Sequence, residues 1–400
     1  MAGPLDGLLI ADFTQLAQGP FATQMLGDMG ADVVKIEPIS GDWMRHFSYA
    51  NCFPRGESIS FISLNRNKRS ITLNLKKPEG LEVAKRLIEK ADVLVENFRP
   101  GVMDRLGIGY ETSFNINPGI IYCSSSGFGP TGPYAKRPGQ DLLIQSIAGT
   151  AALNGKKGEL PVPTAVGSAD FLTGMTIVQS ILAALYSRDR TGKGQKLETC
   201  LLNSLIAFHV QELTSYLFDG KCPERSASGI PNPWIGAPYG IYKTKDRAIA
   251  IAMVSVKKIA AMIGCHKYNH DEFDDNNILH NRDQIRYDLA VFFKLKTTKE
   301  WLDILMPEDI WCSEVNTFDE MVLDPQVAEN EMILTYNHPS VGPVRTTGFP
   351  VKFSGTPQGI FKPPPMLGEH SKEILKDLCK YTDLQIAGLI ANGIFGEVSE

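Results

Sequence analysis

The 400-residue chain contains no uninterrupted apolar run near the roughly 20 residues that a membrane-spanning helix needs. Its opening, MAGPLDGLLIADF, lacks the basic region and long apolar stretch of a secretion signal. These absences predict a cytoplasmic protein with no membrane partner. Basic charge is not in surplus either: 40 Lys and Arg stand against 45 Asp and Glu, a formal net charge of -5. A global attraction to nucleic acid is thereby excluded, and any polyanion must be met by a local patch. The seven cysteines (Cys52, Cys123, Cys200, Cys222, Cys265, Cys312 and Cys379) never form a Cys-x-x-Cys pair and are odd in number. They read as reduced, mostly buried thiols. Missing too are the Gly-x-Ser-x-Gly elbow of serine hydrolases, the His-Glu-x-x-His pair of zinc enzymes and any repeat with a period of about 20 to 50 residues.

What is present is ordinary globular composition, 43% hydrophobic and 21% charged. The first hundred residues alternate strand-like and helix-like runs, which favours an α/β fold with a parallel sheet. Gly7 to Phe13 reads as a buried strand, Phe21 to Met29 as a helix opened by Gly19-Pro20, and Asp32 to Glu37 as the next strand. Strands follow at Ser70 to Leu75, Asp92 to Glu96 and Ile120 to Ser124, with a helix over Glu79 to Lys90. The stretch from Ser124 to Gly139 is too rich in Gly, Pro and Ser for regular structure and marks a functional loop. Helices are expected at Leu142 to Leu153 and Phe171 to Ser187, then a strand pair at Tyr239 to Tyr242 and Ala248 to Met253. A shift in composition near Asp219 to Pro238 divides the chain into a large domain, 1–218 with 331–400, and a small α+β domain, 219–330.

Several side chains admit two readings. Glu37 ends a β-α-β unit, where a dinucleotide-binding protein holds a ribose, but the turn TQLAQGP has one glycine where that fingerprint needs three; otherwise it is a strand-end acid facing water. HKYNHDEFDDNNILH at 266–280 places histidines and carboxylates together, as a metal site or, on the plainer reading, as a charged exterior. Arg66, Lys68 and Arg69 suit either phosphate binding or a solvated turn, as do Arg99 and Arg105. Asp170 stands where a small-residue loop becomes a helix. There it reads as an N-cap and, compatibly with that, as a carboxylate kept ionised by the helix dipole beside free amides that can stabilise an oxyanion.

Six segments taken together resemble the family III CoA-transferases: PLDGLLIADFTQLAQGP at 4–20, GADVVKIEP at 30–38, LNRNKRSITLNL at 64–75, ADVLVENFRPGVMDRLG at 91–107, GFGPTGPY at 127–134 and PPPMLGEHSKEIL at 363–375. The resemblance implies a Rossmann-like large domain and an interlocked homodimer, each large domain built from the N-terminal part plus the tail. It implies no tightly bound cofactor and no metal, with acyl-CoA and a carboxylic acid as the partners. It places the catalytic role on Asp170 of SADFLTGM and coenzyme A contacts on Gln15, Leu16, Ala17, Lys68, Leu73, Asn97 and Arg105, with Arg66, Arg69 and Arg137 as further cations. Pro38 replaces an arginine that some relatives use on the nucleotide, and NPWIGAP at 232–238 stands where a formyl-CoA enzyme carries a glycine loop, which disfavours oxalate and formate. Racemases of the same fold pair the aspartate with a histidine. Here Gln140, followed by Asp141, cannot shuttle protons, so the implied activity is transfer with Gln140 on a substrate carboxylate. A racemase or a non-catalytic CoA-binding protein is the alternative.

Overall fold

The computed structural model describes residues 3–268 and 275–396. Six strands, β1 (Leu9–Asp12), β2 (Asp32–Glu37), β3 (Lys68–Thr72), β4 (Val93–Glu96), β5 (Ile121–Ser126) and β6 (Gln195–Cys200), form one parallel sheet in the order β3-β2-β1-β4-β5-β6. The chain winds outward from β1 to β3 and then returns to place β4 on the other side of β1. The order therefore reverses between β1 and β4, where open α/β sheets leave a crevice at their carboxyl ends.

Both faces of this sheet are covered, so its strands are apolar in both directions. Ile10, Val33, Val93, Val95 and Ile121 point to one face, against Ala22 and Leu26 of helix Gln18–Asp28 and Ile177, Ile181 and Leu185 of helix Ser168–Thr191. Their neighbours Ala11, Val34, Leu94 and Tyr122 point to the other, against Val83, Leu87 and Ile88 of helix Pro78–Lys90. That second core is completed from the far end of the chain by Ile374, Leu375, Leu389, Ile394 and Phe395. Each such side chain contributes about 1.5–3 kcal/mol of transfer free energy when fully buried. Helix Ser168–Thr191 is 24 residues long and meets, by length and composition, what a bilayer span requires. Its apolar stripe is instead spent on the sheet, and its last turn carries Arg188 and Arg190.

Two differences from the sequence expectation have local causes. Strand β6 escapes notice because QKLETC is mostly exposed and polar at the edge of the sheet. The expected helix Leu142 to Leu153 is two short helices, Asp141–Ile147 and Thr150–Leu153, interrupted at Gly149 with φ +89°.

The chain folds as two compact units: Met1–Ile144 with Gly167–Phe208 and Ala328–Glu400, and Gln145–Val166 with His209–Val327. The second unit begins ten residues before the expected boundary at Asp219 and also takes in 145–166, where Arg225 Nη1 donates to the Asn154 carbonyl at 2.7 Å and Lys157 pairs with Glu224. Its sheet is antiparallel, β7 (Gly240–Lys243), β8 (Ala248–Ala252) and β9 (Trp311–Glu314). Tyr242, Ile249 and Ile251 face helices Val256–Ile263, Arg282–Phe293 and Thr298–Leu305, where Trp301 Nε1 donates to the Phe293 carbonyl at 2.8 Å.

Candidate active site

The crevice between β1 and β4 is built by reciprocal bonds across it. Gln15 N–H donates to Asn97 Oδ1 at 2.8 Å, and Asn97 Nδ2 donates back to the Gln15 carbonyl at 2.8 Å. The turn after β1 is thereby tied to the turn after β4. Leu16, next in line, has a left-handed φ of +68° although it is not glycine, a conformation that persists only where its surroundings fix it. Buried Asp42 does so: its Oδ1 accepts from Leu16 N–H at 3.2 Å and from Met44 N–H at 2.9 Å. Above this floor opens a cavity of about 650 Å³, within the range of small-molecule sites. Gln15, Leu16, Ala17 and Asn97 line it, as do Arg137, Gln140 and Asp170.

Asp170 is the third residue of helix Ser168–Thr191 and not its N-cap, a position held by Gly167 without a side-chain bond. Asp141, from a distant segment, does the capping. Its Oδ1 accepts from Ala169 N–H at 2.7 Å and from Asp170 N–H at 3.3 Å. The Asp170 carboxyl is therefore left without a structural duty at the cavity wall. Burial, and next the Asp141 charge, push it up to about 7, so the expectation of a carboxylate fully ionised by the helix dipole is corrected. The helix is held close to Gln18 through Gly174, where an added Cβ would stand 2.7 Å from Phe21 Cδ1 and 2.9 Å from the Gln18 carbonyl oxygen. Phe21 and Phe171 meet edge to face at 5.0 Å beside it. Gln140 is exposed and caps helix Asp141–Ile147 locally, its Oε1 accepting from Leu142 N–H at 3.0 Å.

The basic loop at 66–69 does not line this cavity, and its charges are engaged within the fold. Lys68 is fully buried, its Nζ donating to Asp12 Oδ2, the Pro20 carbonyl and Asn65 Oδ1. Arg66 is engaged by Asp28 and the Thr347 carbonyl, and Arg69 by Asp32 and Glu373. None of these three retains a free charge, and none lines the cavity. The Leu73 side chain is likewise in the core, and Arg105 is exposed on helix Val102–Leu106 without lining the cavity. Glu37 neither faces water nor is open to a ribose. It is buried, chelates Arg45 at 2.7 and 2.8 Å and accepts from Ser70 Oγ at 2.6 Å and Asp42 N–H at 3.0 Å.

The sequence reading missed an aromatic wall. Trp43 and Phe47 stack at 4.9 Å, Tyr49 meets Phe47 edge-on at 5.8 Å, and all three line the cavity while substantially exposed. The signal was W-x-x-x-F-x-Y directly after Asp42, three aromatics in a loop with no core to fill. Arg99, left open between two readings, also lines the cavity, and Arg137 is stacked 3.8 Å over the Tyr134 ring. Loop 234–238 belongs to the second unit. Of the histidine and carboxylate segment, residues 269–274 lie outside those described; among the described residues no group of three His, Cys, Asp or Glu could hold a metal.

Comparison with known proteins adds the family. The model of CoA-transferase family III matches residues 5–371. Succinyl-CoA:glutarate CoA-transferase of Mus musculus is 36% identical over 98% of this chain and 90% of its own. Formyl-CoA:oxalate CoA-transferase of Afipia carboxidovorans is 33% identical over 100% and 99%. Among solved structures, a CAIB/BAIF family protein from Brucella suis superposes with a TM-score of 0.83 at 33% identity, covering 94% of this chain and 100% of that one. A crevice at the reversal of a six-stranded parallel sheet, a carboxyl on its wall and matches of this extent lead to one assignment: the chain belongs to the family III CoA-transferases, enzymes that move coenzyme A between an acyl-CoA and a carboxylic acid.

Proposed function

We propose that Asp170 is the nucleophile of this transfer. The observation that carries the proposal is that Asp170 is the one carboxyl among the described residues lining the cavity, with the capping of its helix delegated to Asp141. An Asp170 carboxylate oxygen attacks the thioester carbonyl of the donor, the carbon–sulfur bond breaks, and coenzyme A leaves as thiolate from a mixed anhydride. The thiolate then attacks the aspartyl carbonyl, releasing the donor acid and leaving an aspartyl-CoA thioester. The acceptor carboxylate attacks that thioester and expels the thiolate. Attack of the thiolate on the acceptor's acyl carbon yields the new acyl-CoA and regenerates Asp170. The thioester bond energy is retained at each step.

Gln15, Leu16, Ala17 and Asn97 form the floor on which coenzyme A rests, Arg137 supplies charge for its phosphates, and Arg99 supplies charge for a substrate carboxylate. Succinate and glutarate, the acids in the mouse relative's name, are short dicarboxylates, and an exposed guanidinium at the cavity suits the carboxylate that does not react. A short dicarboxylate acceptor is therefore the substrate class favoured. Racemisation finds no support, since Gln140 offers no titratable proton. The reading extends to an interlocked homodimer in the cytoplasm. Exposed Leu217 and Phe218 fit a covered surface in the assembled protein, and seven unpaired cysteines fit a reducing compartment.

The deciding experiment incubates the protein with succinyl-CoA, traps the intermediate with hydroxylamine or borohydride, and maps peptides by mass spectrometry. A modified peptide spanning position 170 is expected, and its absence under conditions where exchange proceeds overturns the proposal. Light scattering after size exclusion checks the dimer.

A further inference from the structure

Lys35 and Asp42 form an ion pair at 2.8 Å with no exposed side-chain surface, directly beneath the cavity floor. Lys35 Nζ also donates to the Thr14 carbonyl at 2.8 Å, and Asp42 Oδ1 accepts from Leu16 N–H. Together with Asn97 on both backbone groups of Gln15, four successive backbone groups from the Thr14 carbonyl to the Leu16 N–H are each bonded to the side chain of a distant segment. Neither helix nor sheet requires such bonds. Their effect is to hold Leu16 left-handed and to leave the Gln15 carboxamide, which makes no hydrogen bond among the described residues, at the cavity. Asp42 also accepts from Met44 N–H, and Met44 and its neighbour Trp43 both line the cavity. A buried pair of well-packed apolar residues would stabilise a fold as well or better. The charges therefore account for something packing does not supply, namely directed donors and acceptors for a strained turn.

We infer that Lys35 and Asp42 are positioning residues for coenzyme A, fixing residues 14–16 in the shape that receives the thioester. The inference rests on the cavity being the coenzyme A site. The test measures CoA dissociation constants by calorimetry, Michaelis constants for both substrates and melting temperature in Asp42→Ala, Asp42→Asn, Lys35→Met and Arg137→Ala. Asp42→Ala is expected to weaken CoA at least about tenfold and to raise the acyl-CoA Michaelis constant while leaving that of the acid unchanged. Asp42→Asn, whose amide oxygen still accepts from Leu16 and Met44 but whose Nδ2 faces Lys35 Nζ, recovers part of that loss. Lys35→Met, which frees the Thr14 carbonyl but strands the Asp42 carboxylate, falls between, and Lys35→Met combined with Asp42→Asn, which leaves no unpaired charge buried, serves with a loss in the same range if the single variants do not fold. A folded Lys35→Met with wild-type affinity, or an Asp42→Asn as weak as Asp42→Ala, overturns the inference. If Arg137→Ala also binds CoA normally, the failure lies in the placement of the coenzyme A site. If Arg137→Ala is weakened while the other variants are not, only the positioning role fails.

Discussion

Asp141 Oδ1 lies 2.7 Å from the Ala169 nitrogen and 3.3 Å from that of Asp170, so that one carboxylate caps a helix whose third residue is another. The cap fixes Asp170 in place, and the charge of the cap, next after burial, opposes its ionisation, because the two negative groups stand close together with little solvent between them.

The first consequence concerns pH. With Asp170 near 7, the nucleophilic carboxylate is the minor form in mild acid, and the rate of acyl-enzyme formation should rise through pH 7. Asp141→Asn keeps an oxygen for the cap and removes the charge, so the midpoint should move to lower pH. Single-turnover kinetics across pH 5 to 9 check this. Glu96, behind Asn97 and also pushed up to about 7 by burial, titrates in the same range, and an unchanged midpoint in Asp141→Asn would point to it instead.

Asp170 should also burden the fold. Its folded value is raised above the ordinary 3.8, so the protonated form is favoured by folding, and its contribution is complete below 3.8 and lost as pH rises through 7. Asp170→Asn should abolish exchange yet raise the melting temperature at pH 8, with no gain at pH 4. Scanning calorimetry at both values distinguishes this trade of stability for activity from a neutral site.

Lys68 and Arg137 should behave oppositely. Lys68→Met strands Asp12 as a buried charge and should cost about 3–5 kcal/mol of stability. Arg137→Ala should leave the melting temperature unchanged and raise the Michaelis constant for acyl-CoA. Denaturant titration beside steady-state kinetics reads both.

Gly174 sets the spacing of the two helices that meet at the cavity. Gly174→Val must displace Phe21 or the Gln18 carbonyl, at about 1–3 kcal/mol for overpacking. Because Gln18 and Asp170 both line the cavity, turnover should fall along with stability, whereas Gly192→Ala, at the far end of the same helix, should cost stability alone.

The parallel sheet was legible because apolar runs such as DVVKIE are legible: β2 spans the residues expected of it, while β3 begins two residues earlier than expected, at Lys68. That shift decides the fate of the basic loop, since a lysine on a strand buried along its whole length is drawn inward to Asp12, while a lysine on a turn would meet solvent. The place of Asp170 at the cavity was legible through its motif, but its acidity was not, because it comes from burial in the folded chain and then from Asp141, 29 residues away along the chain. The same holds for Glu37, which looked like an open strand end until Arg45 and Ser70 closed around it. Pairings between distant segments are what sequence periodicity does not carry.

The far end of the polypeptide supplies Ile374, Leu389 and Phe395 to the layer beneath β2 and β3, and Gly368 N–H donates to Ser70 Oγ on β3. During synthesis, at roughly 5–20 residues per second, these partners reach the sheet last. An unfinished nascent chain thus keeps an oily flank of its first strands open to chaperones until residues 374–395 have been made. Ribosome stalling before residue 374 should therefore yield a product destined for degradation rather than a working enzyme.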